Sequence, residues 1–211
     1  MPPVWTPFIV LGAASLAACK GDPSPAPAPP LAAAVTVRDP DGATRLEARL
    51  HDGRCAVTGD ADVDVDVAGE VATGRRGQTP IATLGPGRTG VELADGDGEP
   101  RIRVHRTPTR VELLGMDGVP LARLALEDRV ARIVDAARRP VALLAREGGR
   151  ITVTSPDGEA LAYVAGTGDL EVAALLVTPG VDAEARAVLG CERLLASPGA
   201  STSAPAASRT P

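Results

Sequence analysis

Six Asp-Gly dipeptides, at 41–42, 52–53, 95–96, 97–98, 117–118 and 157–158, sit between short apolar runs and limit the fold more than any other feature. The chain contains no asparagine, so Asp-Gly must supply its tight turns. Both residues tolerate positive φ, and the dipeptide between alternating apolar runs is a strong hairpin signal. VTVRDPDGATRLEARL (35–50) and ITVTSPDGEALAYVAG (151–166) read as two copies of one strand-turn-strand unit. VELLGMDGVPLARLAL (111–126) fits the same scheme, and ARIVDAARRPVALLAR (131–146) varies it, with Ala137-Arg138 in place of Asp-Gly. Units recurring at an irregular spacing of about 20 residues predict a mainly β fold, an antiparallel meander. Such a sheet hides its edges by closing into a barrel or folding into a sandwich.

The exception is GDLEVAALLVTPGVDAEARAVLGCERLLAS, near the end of the chain. Asp169 can cap a short helix over Leu170–Val177, although that run would equally serve as a buried strand. Thr178-Pro179-Gly180 breaks the chain, and Asp182 can cap a second helix running to about Ala196. On it, Val181, Ala185, Val188, Cys191 and Leu195 share one face, with Asp182, Arg186 and Arg193 opposite. One or two C-terminal helices are therefore expected. A β meander ending in an apolar helix resembles the tubby-like and phospholipid-scramblase-like barrels, in which a C-terminal helix threads a closed barrel. The resemblance covers residues 34–196, implies architecture, and gives no residue a role.

The two ends of the chain have a different character. From Trp5 to Ala18 the residues WTPFIVLGAASLAA are uncharged. A membrane-spanning helix needs roughly 20 apolar residues, so this run has instead the length of a signal-peptide apolar region, ending in small residues. Leu16-Ala17-Ala18-Cys19 resembles the lipobox of bacterial lipoproteins. That resemblance implies that residues 1–18 are removed and that Cys19 carries the lipid that holds the protein on a membrane. MPPVWTP departs from the pattern in having no Lys or Arg, which leaves open an ordinary cleaved signal or a mis-assigned start, with Cys19 incidental. Residues 19–33, rich in Pro and Ala, read as a semi-rigid spacer of about 3 Å per residue. Residues 197–211 are too poor in apolar side chains to build a core and read as a disordered tail. A single folded domain remains, residues 34–196. The expected location is the bacterial cell envelope, lipid-anchored and facing the periplasm or the surface. Lys20, where some lipoproteins carry Asp, implies the outer membrane somewhat over the inner.

Composition excludes several classes of partner. The net charge is −5, against the basic footprint that nucleic acid demands. Trp5 and Phe8 lie in the signal segment, so Tyr163 is the sole aromatic beyond it, and a stacking platform for sugars or bases is missing. With Cys19 given to lipid, Cys55 and Cys191 form an even pair in an oxidising compartment, which reads as a disulfide closing more than 130 residues. Two separate buried thiols are the alternative.

No motif carries chemistry. GPGRTG (85–90) matches G-x-G-x-x-G, but a strand follows where a dinucleotide site needs a helix. DGDGEP (95–100) and DADVDVD (60–66) have the acidic density of calcium loops without their Gly and Glu positions: counted from Asp60, those places hold Val65 and Val71. His51 and His105 lack partners at ligand spacing, so no metal, cofactor or catalytic residue is expected.

The alternation of DADVDVDV predicts Val63, Val65 and Val67 inward and Asp62, Asp64 and Asp66 outward, with like charges about 6.7 Å apart. RIRVHR (101–106) is complementary, with Arg101, Arg103 and His105 outward. Either the two strands pair as a charge ladder, or the aspartates stay solvated and guard an edge strand. Calcium would need six or more oxygens, which a flat row does not supply.

The expectation is a lipid-anchored, non-catalytic envelope protein with a structural or protein-interaction role. A lipid or small-ligand module inside a barrel and a divergent envelope enzyme are the alternatives. A filled interior favours the first and a hollow one the second; the third needs a pocket that unites a histidine with several carboxylates.

Overall fold

In the computed structural model, residues 34–88 and 90–197 are described. Fourteen strands form one antiparallel up-and-down barrel: β1 Ala34–Arg38, β2 Thr44–His51, β3 Arg54–Gly59, β4 Val63–Ala68, β5 Val71–Arg76, β6 Thr79–Gly87, β7 Gly90–Asp95, β8 Pro100–Thr107, β9 Arg110–Gly115, β10 Pro120–Leu126, β11 Val130–Asp135, β12 Pro140–Glu147, β13 Arg150–Thr154 and β14 Ala160–Ala165. Each strand pairs with its neighbours in sequence, and β1 closes the ring on β14 with Val37 opposite Val164. The outcome is a barrel, and a sandwich is ruled out. Two helices follow, α1 Leu170–Val177 and α2 Ala183–Ala196.

Strict up-and-down order sorts the turns between two ends. At the near end Ala34 begins β1, α1 enters the barrel and α2 leaves it. The far end carries the helix–helix connection, Thr178–Asp182. Five far-end hairpins share one design, in which the N–H of residues 39, 95, 115, 135 and 155 donates to the carbonyl four residues on, at 2.8–3.0 Å. This is the three-residue loop in which a type I turn is followed by a left-handed residue. Gly42, Gly98, Gly118 and Gly158 hold that position at φ +81° to +92°, and Arg138 holds it in the variant copy at φ +61°. Both residues of an Asp-Gly take positive φ only at Asp52-Gly53, a two-residue near-end turn (φ +49° and +74°). At 41–42, 97–98, 117–118 and 157–158 the aspartate occupies the ordinary turn position and the glycine alone supplies the left-handed step, whereas at 95–96 neither residue is left-handed.

Inward residues are small or aliphatic, such as Val35 and Val37 on β1, Ala142 and Leu144 on β12, and Ile151 and Val153 on β13, all at most 4 % exposed. The two helices fill the space these residues enclose. α1 packs on β10, β11 and β12, whereas α2 packs on β2 to β6. Asp169 and Asp182 cap α1 and α2 through their carboxylates, as the sequence predicts. α1 is thereby a helix and not a strand.

The buried face of α2 is wider than the single stripe the spacing predicts. Ala187, Leu189, Gly190 and Leu194 are buried beside Ala185, Val188 and Cys191, because α1 covers one side of the helix and the barrel wall the other. Glycine makes both approaches possible. A Cβ at Gly190 would lie 2.5 Å from Leu176 Cδ2, and one at Gly74 on β5 would lie 2.6 Å from Val188 Cγ2.

The outer wall is charged on most strands, with Arg49, Arg54, Asp64, Arg75, Arg103, Glu112, Arg123 and Arg132 among its residues. A barrel that crosses a membrane has the reverse arrangement, an apolar outer band around a polar interior. No helix among the described residues is long and apolar enough to cross a membrane.

Candidate functional site

Cys19, the signal segment, the spacer and the tail beyond Ser197 lie outside the described residues. Cys55 and Cys191 are bonded to each other, with Cα atoms 5.7 Å apart and both residues fully buried. The bridge ties β3 of the wall to the middle of α2. The alternative of two free thiols is thereby set aside.

The charge ladder is corrected. β4 pairs with β3 and β5, and β8 pairs with β7 and β9, so Asp62, Asp64 and Asp66 never face Arg101 and Arg103. The edge-strand reading fails as well, because a closed barrel leaves β4 no free edge. Compensation comes from nearer neighbours. Asp66 stands opposite Arg54 on β3 and 3.3 Å from Arg75 Nε, while Asp64 stands opposite Arg75 on β5. Arg101 bonds Asp95 of its own hairpin at 2.6 Å, and Arg103 stands opposite Glu92. The directly opposed pairs Asp66–Arg54 and Asp64–Arg75 contribute roughly 0.2–1 kcal/mol each, toward the low end because they are exposed to solvent. Val67 keeps the inward face, opposite buried Ala72, but stands near the rim at the end of β4 and is 37 % exposed.

His51 contacts Asp52 at 2.9 Å with both side chains 82 % exposed, and His105 stands on the outer wall opposite Glu112. Among the described residues no group of three or more His, Cys, Asp or Glu is placed to hold a metal ion. Gly85 to Gly90 spans the end of β6 and the start of β7, so strand follows strand there.

The structure brings together two groups of charged residues that the sequence reading did not join. At the near end, Glu171 on the first turn of α1 receives Arg106 of β8 and Arg193 of α2, each Nε 3.1 Å from one carboxylate oxygen. Arg106 also reaches Glu192 at 2.7 Å, and Arg146 donates to the Gly168 carbonyl. Burial pushes the Glu171 carboxyl above its ordinary range, outweighing the pull of Arg193 and Arg106. This cluster fastens both helix ends to the mouth of the barrel.

At the far end, Arg45 of β2 bonds Asp60 at 2.9 Å and lies 3.6 Å from Asp39. Arg186 of α2 lies 4.0 Å from the same Asp60 and donates to the Leu176 carbonyl at 3.3 Å. Arg76 pairs with Glu184 across the rim. The Arg186–Arg193 spacing of two helical turns was visible in the sequence. Their partners on β2, β8 and α1 depend on where each helix end meets the rim, which local pattern does not encode.

The chain matches no known family model, no curated protein and no solved structure.

Proposed function

We propose that this chain is a lipid-anchored, non-catalytic protein of a bacterial cell envelope, whose barrel serves as a structural or protein-binding body. The observation that carries the reading is the placement of the chain ends. Ala34 and Ser197 both leave the barrel at its near end, so a spacer of 15 residues from Cys19 to Ala33 meets the body there. Extended at about 3 Å per residue, it spans at most about 45 Å. The near end then faces the membrane, and the five bulged hairpins face away from it. A buried disulfide suits an oxidising compartment. An interior occupied by its own helices suits a body that presents surface more than one that carries cargo.

The test is Cys19→Ser. The wild-type protein is expected in the membrane fraction with the intact mass of an acylated Cys19 chain. The variant is expected unacylated and in the soluble fraction, since acyl chains supply roughly 0.8 kcal/mol per buried CH2. A variant that stays on the membrane through residues 5–18 contradicts the reading.

A further inference from the structure

The helices leave one sector of the lumen incompletely filled. Beside the Thr178–Asp182 connection, against β12, β13 and β14, lies a recess of about 530 Å³ that opens at the far end. Its volume falls among those of small-molecule sites, roughly 300–1,000 Å³. The apolar part of the lining comes from Val141, Val153 and Leu161 of the wall and Val177 and Val181 of the helix ends, and the rest is polar, with Thr178 among it. Leu161 is 41 % exposed, one of the few large apolar side chains left open to water.

Arg45 and Arg186 are the charged residues of its lining. They are not equally satisfied. Arg45 has Asp60 at 2.9 Å and Asp39 at 3.6 Å. Arg186 shares that Asp60 Oδ2 at 4.0 Å and donates through Nη1 to the Leu176 carbonyl at 3.3 Å, while its Nε makes no hydrogen bond. Asp182 is also near, but its Oδ1 accepts the Ala185 N–H as the cap of α2. The Arg186 side chain is 15 % exposed, and burial, with a smaller push from Arg45, lowers its pKa against the pull of Asp60 and Asp182. A guanidinium removed from water needs close acceptors, and a carboxylate offers two in matching geometry.

We propose that the far-end recess binds an apolar monocarboxylate, its carboxylate on Arg186 and its aliphatic chain against Val141, Leu161 and Val177. The ligand supplies the close anion that Asp60 does not, and its chain covers the exposed Leu161. This site is independent of the anchor: it uses residues 141–186 and does not involve Cys19.

Calorimetric titration of the purified protein with octanoate and, separately, with octanol tests it. Octanoate should bind saturably with Kd at or below about 1 mM and at least about tenfold tighter than octanol. Arg186→Gln should weaken octanoate about tenfold and leave octanol unchanged. Leu161→Glu, at an exposed position that tolerates charge, should abolish octanoate binding, and it decides the matter if Arg186→Gln does not fold. Absence of saturable octanoate binding, equal binding of acid and alcohol, or undiminished octanoate binding in either folded variant overturns the proposal.

Discussion

Arg138 occupies the left-handed turn position that glycine holds in the four other bulged hairpins, at φ +61° and with its side chain exposed. A left-handed L-residue costs roughly 1–2 kcal/mol that glycine escapes, less the greater chain entropy glycine loses on folding. Arg138→Gly is expected to stabilise the barrel by about 0.5–1 kcal/mol, read as a higher urea midpoint at constant slope. Gly158→Arg, the reverse change in a matching loop, should destabilise it by a similar amount. Glu171 gives a second prediction at this scale. Its folded pKa is raised, chiefly by burial, so its contribution is complete below the unfolded pKa and lost as pH rises through the folded value. Glu171→Gln cannot titrate, and should therefore gain stability relative to wild type between about pH 4 and pH 7. Asp95 and Asp135 are shifted the opposite way, Asp95 mainly by the Arg101 side chain and Asp135 by the Arg139 backbone N–H. Their contributions are lost as pH falls through their lowered values, and they cancel in the comparison because both proteins carry them. A relative loss for Glu171→Gln over that interval would mean that Arg106 and Arg193 outweigh burial.

At the scale of elements, α2 is joined to the wall by one covalent bond and one close approach in addition to the charged clusters at its ends. Gly74→Ala places a methyl against Val188 and should destabilise by roughly 1–3 kcal/mol. Val188→Ala should recover much of that loss in the double variant, because the two sites share one contact. Cys55→Ser with Cys191→Ser opens a link across 136 residues and is expected to cost about 2–5 kcal/mol while the far-ultraviolet spectrum stays β-rich. Helix boundaries were legible in the sequence because caps are local: Asp169, Asp182 and the Thr-Pro-Gly break each act within a turn of themselves. Strand pairing beyond a hairpin was not. The alternation of DADVDVDV set Asp64 outward and Val65 inward, but which strand faces Asp66 depends on the order of the whole ring. The complementary signs of 60–66 and 101–106 suggested a pairing that strict up-and-down order excludes.

The whole molecule is a ring of short hairpins whose core is supplied by the last folded segment of the chain. With inward positions limited to Val, Leu, Ile, Ala, Cys and Gly and no aromatic among them, the strands cannot fill a ring of fourteen by themselves. α1 and α2 fill the interior apart from the far-end recess, and the bridge and the two charged clusters hold them there. The sequence showed a meander, its turns and one or two helices; a helix inside the barrel followed only from the resemblance to helix-threaded barrels, because apolar faces record burial and not which element covers them. The account rests on this hairpin being permanent core and not a removable plug. Native-state hydrogen exchange at Leu175 and Leu189, buried at the centre of α1 and α2, tests that directly. The account predicts that both amides exchange only through global unfolding, with the same free energy and denaturant dependence as core amides of β4 and β11. Exchange of the helices at a distinctly lower free energy, while the strands stay protected, would show a hairpin that leaves an intact barrel and would contradict it.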